Sequence, residues 1–227
     1  MNGVLAVSDP TSSATTSTPF TIAYSNADKT GTLYTVDYRR VGSGSGFAHY
    51  NTTTARANLF GYANKPVTVL PGQVYEFRGT ARDSFGNTTA LVVGRTRAVV
   101  PFDQTRASFV STATTVSASY RWLGTSRVLY KAGQIANLTG VYGNRLQIVG
   151  DRSANGGSFA LYLKNADGTY TKLGSTVSTY ASSSSARQVL YSYAFTTAAS
   201  RTYQVRWVAG STSTRRNVVL DAFAVRR

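Results

Sequence analysis

Apolar residues in this chain recur at every second position, in short runs, from one end to the other. Tyr34, Val36 and Tyr38 alternate with Thr35, Asp37 and Arg39, and Tyr75, Phe77 and Ala81 share a face with Glu76, Arg78, Thr80 and Arg82 opposite. Phe20, Ile22 and Tyr24, then Leu146 and Ile148, then Phe159, Leu161 and Leu163 against Ala160, Tyr162 and Lys164, continue the pattern. So do Tyr203, Val205 and Trp207 and, at the end, Val219, Phe223 and Val225. Successive side chains of a strand point to opposite faces, so runs with one polar face read as half-buried antiparallel strands. Turn signals separate them: Gly42-Ser43-Gly44-Ser45-Gly46, Ser84-Phe85-Gly86-Asn87, Gly133, Gly143-Asn144, Asn155-Gly156-Gly157 and Asp167-Gly168. No stretch carries helical periodicity with caps. The expected fold class is all-β, two antiparallel β-sandwiches in tandem.

The division into two rests on Val99-Val100-Pro101-Phe102-Asp103, where a proline ends one strand series and another begins. The 227 residues suffice for two domains of ordinary size that need no disulfide or metal staple. Residues 1–18 are read as an N-terminal strand and linker, 19–101 as the first sandwich and 102–227 as the second. The Ser/Thr/Pro-rich stretch from Ser8 to Pro19 reads as a tether, because small polar residues cannot bury a core. The chain has no Cys, which excludes disulfide scaffolds, thiol catalysis and zinc–thiolate sites.

The net charge is +15, from 24 Lys and Arg against 9 Asp and Glu. Such a balance favours anionic partners; the competing reading is a solvated basic surface. The cations are scattered, with tight pairs at Arg39-Arg40, Arg215-Arg216 and Arg226-Arg227, so nucleic acid is the disfavoured polyanion. No run of 18 apolar residues exists, so membrane insertion is not expected. Met1 to Val7 lacks the basic start and long apolar core of a signal peptide.

Two stretches resemble known families. Leu70-Pro71-Gly72-Gln73-Val74-Tyr75-Glu76-Phe77-Arg78, with Ala81-Arg82-Asp83-Ser84-Phe85-Gly86-Asn87 after it and Tyr34 to Arg39 before it, is similar to fibronectin type III domains over residues 18–100. The resemblance implies a tyrosine that hydrogen-bonds back to the chain at the corner before its strand. The missing tryptophan near Ile22 and the glycine at 79 depart from that family. Residues 103–227 resemble jelly-roll modules of the galactose-binding or carbohydrate-binding type, as found at the C-termini of secreted actinobacterial proteins. The residues that carry this are Tyr120-Arg121-Trp122, Leu146 to Gly150, Gly157 to Leu163, Gln188 to Tyr191 and Val218 to Val225. Such modules bind glycans or cell surfaces, and some serve as spacers.

Catalysis finds little to work with. There is one His, His49, and one Glu, Glu76, with no carboxylate pair at telling spacing and no nucleophile elbow. No catalytic residue and no enzyme activity are expected. Jelly-roll glycan binders often hold calcium near the last strand, which makes Asp221 and Asp103 candidates; the alternative is that Asp221 satisfies local backbone N–H groups. Sugar faces stack on rings while hydroxyls need donors, so Trp122, Tyr130, Tyr142, Tyr170 and Tyr180, with Arg152, are the candidate ligand-binding residues. For each ring the competing assignment is packing at the sandwich rim.

Three roles compete: a secreted or cell-surface adhesion module for a glycan or anionic cell-envelope polymer, a self-associating surface-fibre or virion component, and a polyanion binder that lets go as salt rises.

Overall fold

The structure, a computed structural model, describes residues 3–7, 17–19, 22–26, 32–55, 61–63, 66–68, 70–90, 92–93, 97–209 and 214–226. They are nearly all antiparallel strand, with sheets consistent with β-sandwiches. They fall into two compact units, one ending at Val100 and the next beginning at Pro101.

The first unit has two main sheets. One runs Val92–Val93, Gly3–Val7, Ile22–Asn26, Gly61–Ala63; the other runs Arg97–Val99, Val74–Arg82, Thr32–Arg40, Ala48–Ala55. A short ladder pairs Ser17–Pro19 with Pro66–Thr68, so the last three residues of the stretch read as a tether are strand. Phe20 and residues 8–16 lie outside the described residues. The alternation of Val74–Arg82 is as the sequence reads it: Tyr75, Phe77 and Ala81 are buried while Arg78 and Arg82 are exposed. Tyr50 meets Tyr38 and Phe77 edge-on, with centroids 5.8 and 5.7 Å away, and completes an aromatic core.

At the corner before that strand, the backbone N–H of Leu70 donates to Tyr75 Oη at 3.0 Å. This is the hydrogen bond the resemblance implied. Tyr75→Phe keeps the ring and leaves that N–H unpaired, so the first unit is expected to lose about 1 kcal/mol. Urea denaturation checks it, and an unchanged midpoint contradicts it.

The second unit is a single ladder folded over on itself. Its order is Thr114–Ser117, Thr125–Leu129, Val218–Arg226, Ile135–Arg152, Ser185–Val208, Ser158–Lys164, Tyr170–Ser178. Phe102–Asp103 also pairs with Val218–Arg226, and Ser108–Val110 with Ile135–Arg152. The two long strands serve both layers. Residues 135–138 pair with 206–203 in one layer, and 145–152 with 194–185 in the other, with register shifts between them. The layers enclose one core in which Leu138, Phe159, Leu161 and Val205 meet Leu146, Ile148, Leu220 and Phe223.

Two sequence expectations are corrected here. Gly143-Asn144 is not a turn but lies inside Ile135–Arg152. Gly143 is there because the Arg226 carbonyl and the Val225 side chain fill the space a Cβ would take. Val219 does not share a face with Phe223 and Val225; the core takes Val218 and Leu220 instead. A register shift between Val149 and Gly150 in the pairing with Val218–Arg226 changes the phase of the alternation.

Candidate functional site

Between Thr114–Ser117 and Thr125–Leu129, the chain closes on itself. Ala118 N–H donates to the Gly124 carbonyl at 3.0 Å and Arg121 N–H to the Ala118 carbonyl at 3.0 Å. Leu123 and Gly124 take φ of 52° and 81° to complete the turn. The loop is pinned by Trp122, 1% exposed, whose backbone N–H donates to Asp221 Oδ1 at 3.0 Å. Arg121, also buried, is ion-paired with Asp151 at the end of Ile135–Arg152.

These anchors leave Tyr120 outside. Its ring is 47% exposed and lies on the Arg121 guanidinium, whose carbon sits 4.8 Å from the ring centroid. Tyr120 lines a pocket of about 410 Å³ with Asp151, Arg152, Ser153, Ser185 and Arg187. Arg152 Nη1 donates to the Ser178 carbonyl at 3.1 Å. Arg187 has φ of 56° and donates its backbone N–H to Asp151 Oδ1 at 3.4 Å.

The pocket floor is tied into neighbouring loops. Ser153 bridges to Tyr180, and Ser153 N–H donates to the Thr179 carbonyl at 3.1 Å. Gly156 and Gly157 lie so close to the backbone of Thr179 and Arg216 that a Cβ at either would clash. Arg215 covers one side of Tyr180 at 3.7 Å from its centroid.

The candidates named from sequence therefore separate. Arg152 lines the pocket and Tyr180 is bridged to it. Trp122 is corrected: a ring with 1% exposure presents no face to a ligand, because it is the plug that holds the loop. Tyr142, 52% exposed, lies mid-strand, not in a loop. Tyr130 sits at a turn where its N–H donates to Gln134 Oε1 at 2.6 Å. Tyr170 belongs to a sheet face, where Arg206 lies 5.0 Å from its centroid and 4.1 Å from that of Tyr162. Tyr120 and Arg187 were not among the ligand-binding candidates. Tyr120 stands two residues from Trp122, and of two such rings burial favours the larger, less polar indole.

Behind the loop lies a buried polar cluster. Asp103 caps the turn Gln104–Arg106 by accepting from Thr105 N–H at 2.8 Å, and it stands opposite Ala222 in register, beside Asp221. Burial pushes the Asp221 carboxyl up to about 7, against the pull of the Trp122 N–H and of Arg121, with Asp151 and Asp103 adding to the rise. Asp103 Oδ2, Gln104 Oε1, Ser126 Oγ and Asp221 Oδ2 are buried without a hydrogen-bond partner in the protein. Two carboxylates, an amide and a hydroxyl oxygen are donors that suit calcium, and these four residues would hold it. Among the described residues no cluster of three His, Cys, Asp or Glu exists.

Charge divides unevenly along the chain. Residues 101–227 carry fifteen of the Lys and Arg, but only four Asp and no Glu. Asp103 and Asp221 are buried, Asp151 pairs with Arg121, and Asp167 accepts from Thr169 N–H at 2.9 Å in an exposed turn.

In the first unit, His49 lies 3.5 Å from Asp37, and Glu76 is clamped by Arg39 and Arg97 at 2.7 and 3.2 Å. Those two guanidiniums hold the Glu76 carboxyl below its ordinary range. The pocket beside them, about 230 Å³, is lined by the ion pairs and no ring.

No protein-family model matches the sequence, and no curated protein does. Solved structures similar to the chain include a xanthan lyase from Paenibacillus (TM-score 0.43, 15% identity, covering 92% of this chain and 21% of that one). An exo-β-1,3-galactanase from Phanerochaete chrysosporium follows (TM-score 0.36, 7% identity, 96% of this chain and 56% of that one). Another is the N-terminal CBM22 tandem of Paenibacillus barcinonensis Xyn10C (TM-score 0.34, 6% identity, 91% and 87%). The chain thus spans about a fifth of the lyase and just over half of the galactanase.

Proposed function

We propose that the second unit is a non-catalytic binding module that takes a glycan at the Tyr120 pocket, outside the cell or at its surface. The first unit, fibronectin type III-like, acts as its spacer. Tyr120 carries the reading: an exposed ring, backed by a buried guanidinium that is itself ion-paired, is a fixed stacking surface beside hydroxyl and guanidinium donors. A volume of about 410 Å³ falls within the range of about 300–1,000 Å³ typical of small-ligand sites.

The test is a glycan array followed by affinity electrophoresis. Tyr120→Ala is expected to weaken the binding so found at least about tenfold, as loss of an aromatic anchor does. Tyr120→Phe keeps the stacking surface and is expected to retain it. A silent array, or full binding by Tyr120→Ala, rejects the reading.

One observation favours a second role in self-association, as in a surface fibre or virion. Phe85 is 82% exposed at the tip of a turn that Asp83 fixes, accepting from the N–H groups of Phe85 and Asn87 at 2.9 and 2.8 Å. An oligomer at high concentration that Phe85→Ser dissolves would mark that role.

A further inference from the structure

The pocket lining is cationic beyond what a neutral sugar requires. Its carboxylate, Asp151, is committed to buried Arg121. That leaves Arg152 and Arg187 lining the pocket without an acidic partner among the described residues. The Arg152 guanidinium makes one hydrogen bond, from Nη1, and the Arg187 guanidinium makes none among the described residues. Both are half-buried, so their charge is less screened than that of a cation standing free in water.

Arg187 is held in place at a conformational cost. Its left-handed backbone is one that L-residues other than Asn, Asp and Gly rarely adopt. The N–H bond to Asp151 Oδ1 fixes that backbone against the same carboxylate that anchors Arg121. One acidic group thus sets the position of the stacking ring, through Arg121, and of the Arg187 main chain. Guanidinium geometry matches a carboxylate through two parallel N–H donors, a fit that hydroxyls do not offer.

We propose that the pocket selects sugars bearing a carboxylate, which Arg187 and Arg152 bind while the sugar ring lies on Tyr120. This rests on the glycan-binding reading above and adds the class of sugar to it.

The test uses the full chain and three uronate polymers, polygalacturonate, polymannuronate and hyaluronan, each beside its carboxyl-reduced counterpart of the same linkage. Dextran sulfate, a glycerol-phosphate teichoic acid and duplex DNA serve as the other anions. At least one uronate polymer is expected to bind at least about tenfold more tightly than its reduced form. Arg187→Gln is expected to weaken binding of the acid form about tenfold more than binding of the reduced form, and Arg152→Gln to act in the same sense. Arg145→Gln, an exposed cation outside the pocket, is the control for net charge.

Equal binding of acid and reduced forms overturns the carboxylate assignment and leaves glycan binding standing. Equal losses from Arg187→Gln and Arg145→Gln overturn it in favour of bulk charge. So does binding of sulfate, phosphate or DNA polymers as tight as that of the uronates and with the same salt slope. If no uronate polymer binds, the carboxylate assignment fails. Binding of a neutral array glycan that depends on Tyr120 would then preserve the broader reading, and a silent array would end both.

Discussion

Trp122→Ala is expected to lower the stability of the second unit by about 3–5 kcal/mol, the usual cost of truncating a buried aromatic. For a domain at the low end of the usual range of about 5–15 kcal/mol, that is enough to leave a substantial unfolded fraction at 37 °C. The indole is fully buried, and the backbone N–H of Trp122 donates to Asp221 Oδ1 at 3.0 Å, which pins the loop. Removing it leaves a void beneath the turn and loosens the neighbours on either side. Arg121 and Tyr120 depend on that turn for their places, so the proposed glycan binding is expected to fall with stability. The measurement is urea denaturation of wild type and variant, read on the second unit, with Trp207→Ala alongside. Trp207 is half-buried, with its Nε1 donating to the Arg216 carbonyl at 2.7 Å, so its truncation is expected to cost less. Equal costs, or a Trp122 cost below 1 kcal/mol, would show that the loop is not a plug.

The second large effect is a loss of stability as pH rises. In the folded unit, burial lifts Asp221 to about 7, while the unfolded chain titrates near the ordinary value of 3.8. Below pH 4 both states are protonated and the contribution is complete. From there to pH 7 the unfolded state releases its proton while the folded state keeps it, so stability falls as pH rises. About three units of difference correspond to about 4 kcal/mol. Asp167, held below its ordinary range by the Thr169 hydroxyl and N–H, acts in the opposite sense at lower pH. In chelator, denaturation midpoints are expected to decline between pH 4 and 8 for the wild type and to stay nearly level for Asp221→Asn, which mimics the protonated acid. A flat wild-type profile would refute the assignment. Millimolar calcium separates a proton from a cation in the cluster. If the cluster takes calcium, the ion raises wild-type stability at pH 7–8 and leaves Asp221→Asn unmoved. If it takes a proton, calcium changes neither protein.

The strands were legible because their signal is local. A half-buried strand writes its two faces into every second residue, and Val74–Arg82 has the buried face its alternation predicts, while in Ser158–Lys164 Phe159 and Leu161 are buried as read but Ala160 opposite them is buried too. The phase failed where pairing was irregular. Val219 looks inward by counting back from Phe223, but the register shift at Gly150 reverses it, and no local pattern records which neighbour a strand slips against. Gly143 was misread for a related reason. A glycine that makes room for another strand has the same letter as one that turns the chain.

The site was legible only in part. Arg152 and Tyr180 were marked as a donor and a ring near predicted loops, and the fold ties both to one end of the sandwich. Trp122 was marked as a ligand ring and is buried, while the exposed Tyr120 two residues away was not marked, although burial favours the larger, less polar indole. Arg187 carried no signal, because its placement comes from a backbone angle and from Asp151, 36 residues away.

By itself, then, the sequence determined the all-β class, the short antiparallel strands and an excess of cations that Asp and Glu cannot balance. Each of these is additive or has a period of two, so each can be read along the chain. Tertiary structure alone decided which aromatic is buried and which is exposed, that Asp151 fixes both Arg121 and the Arg187 backbone, and that Asp103 and Asp221 share a buried cluster. Those outcomes depend on burial and on contacts between distant residues, and desolvation acts on a side chain only once the rest of the fold has closed around it.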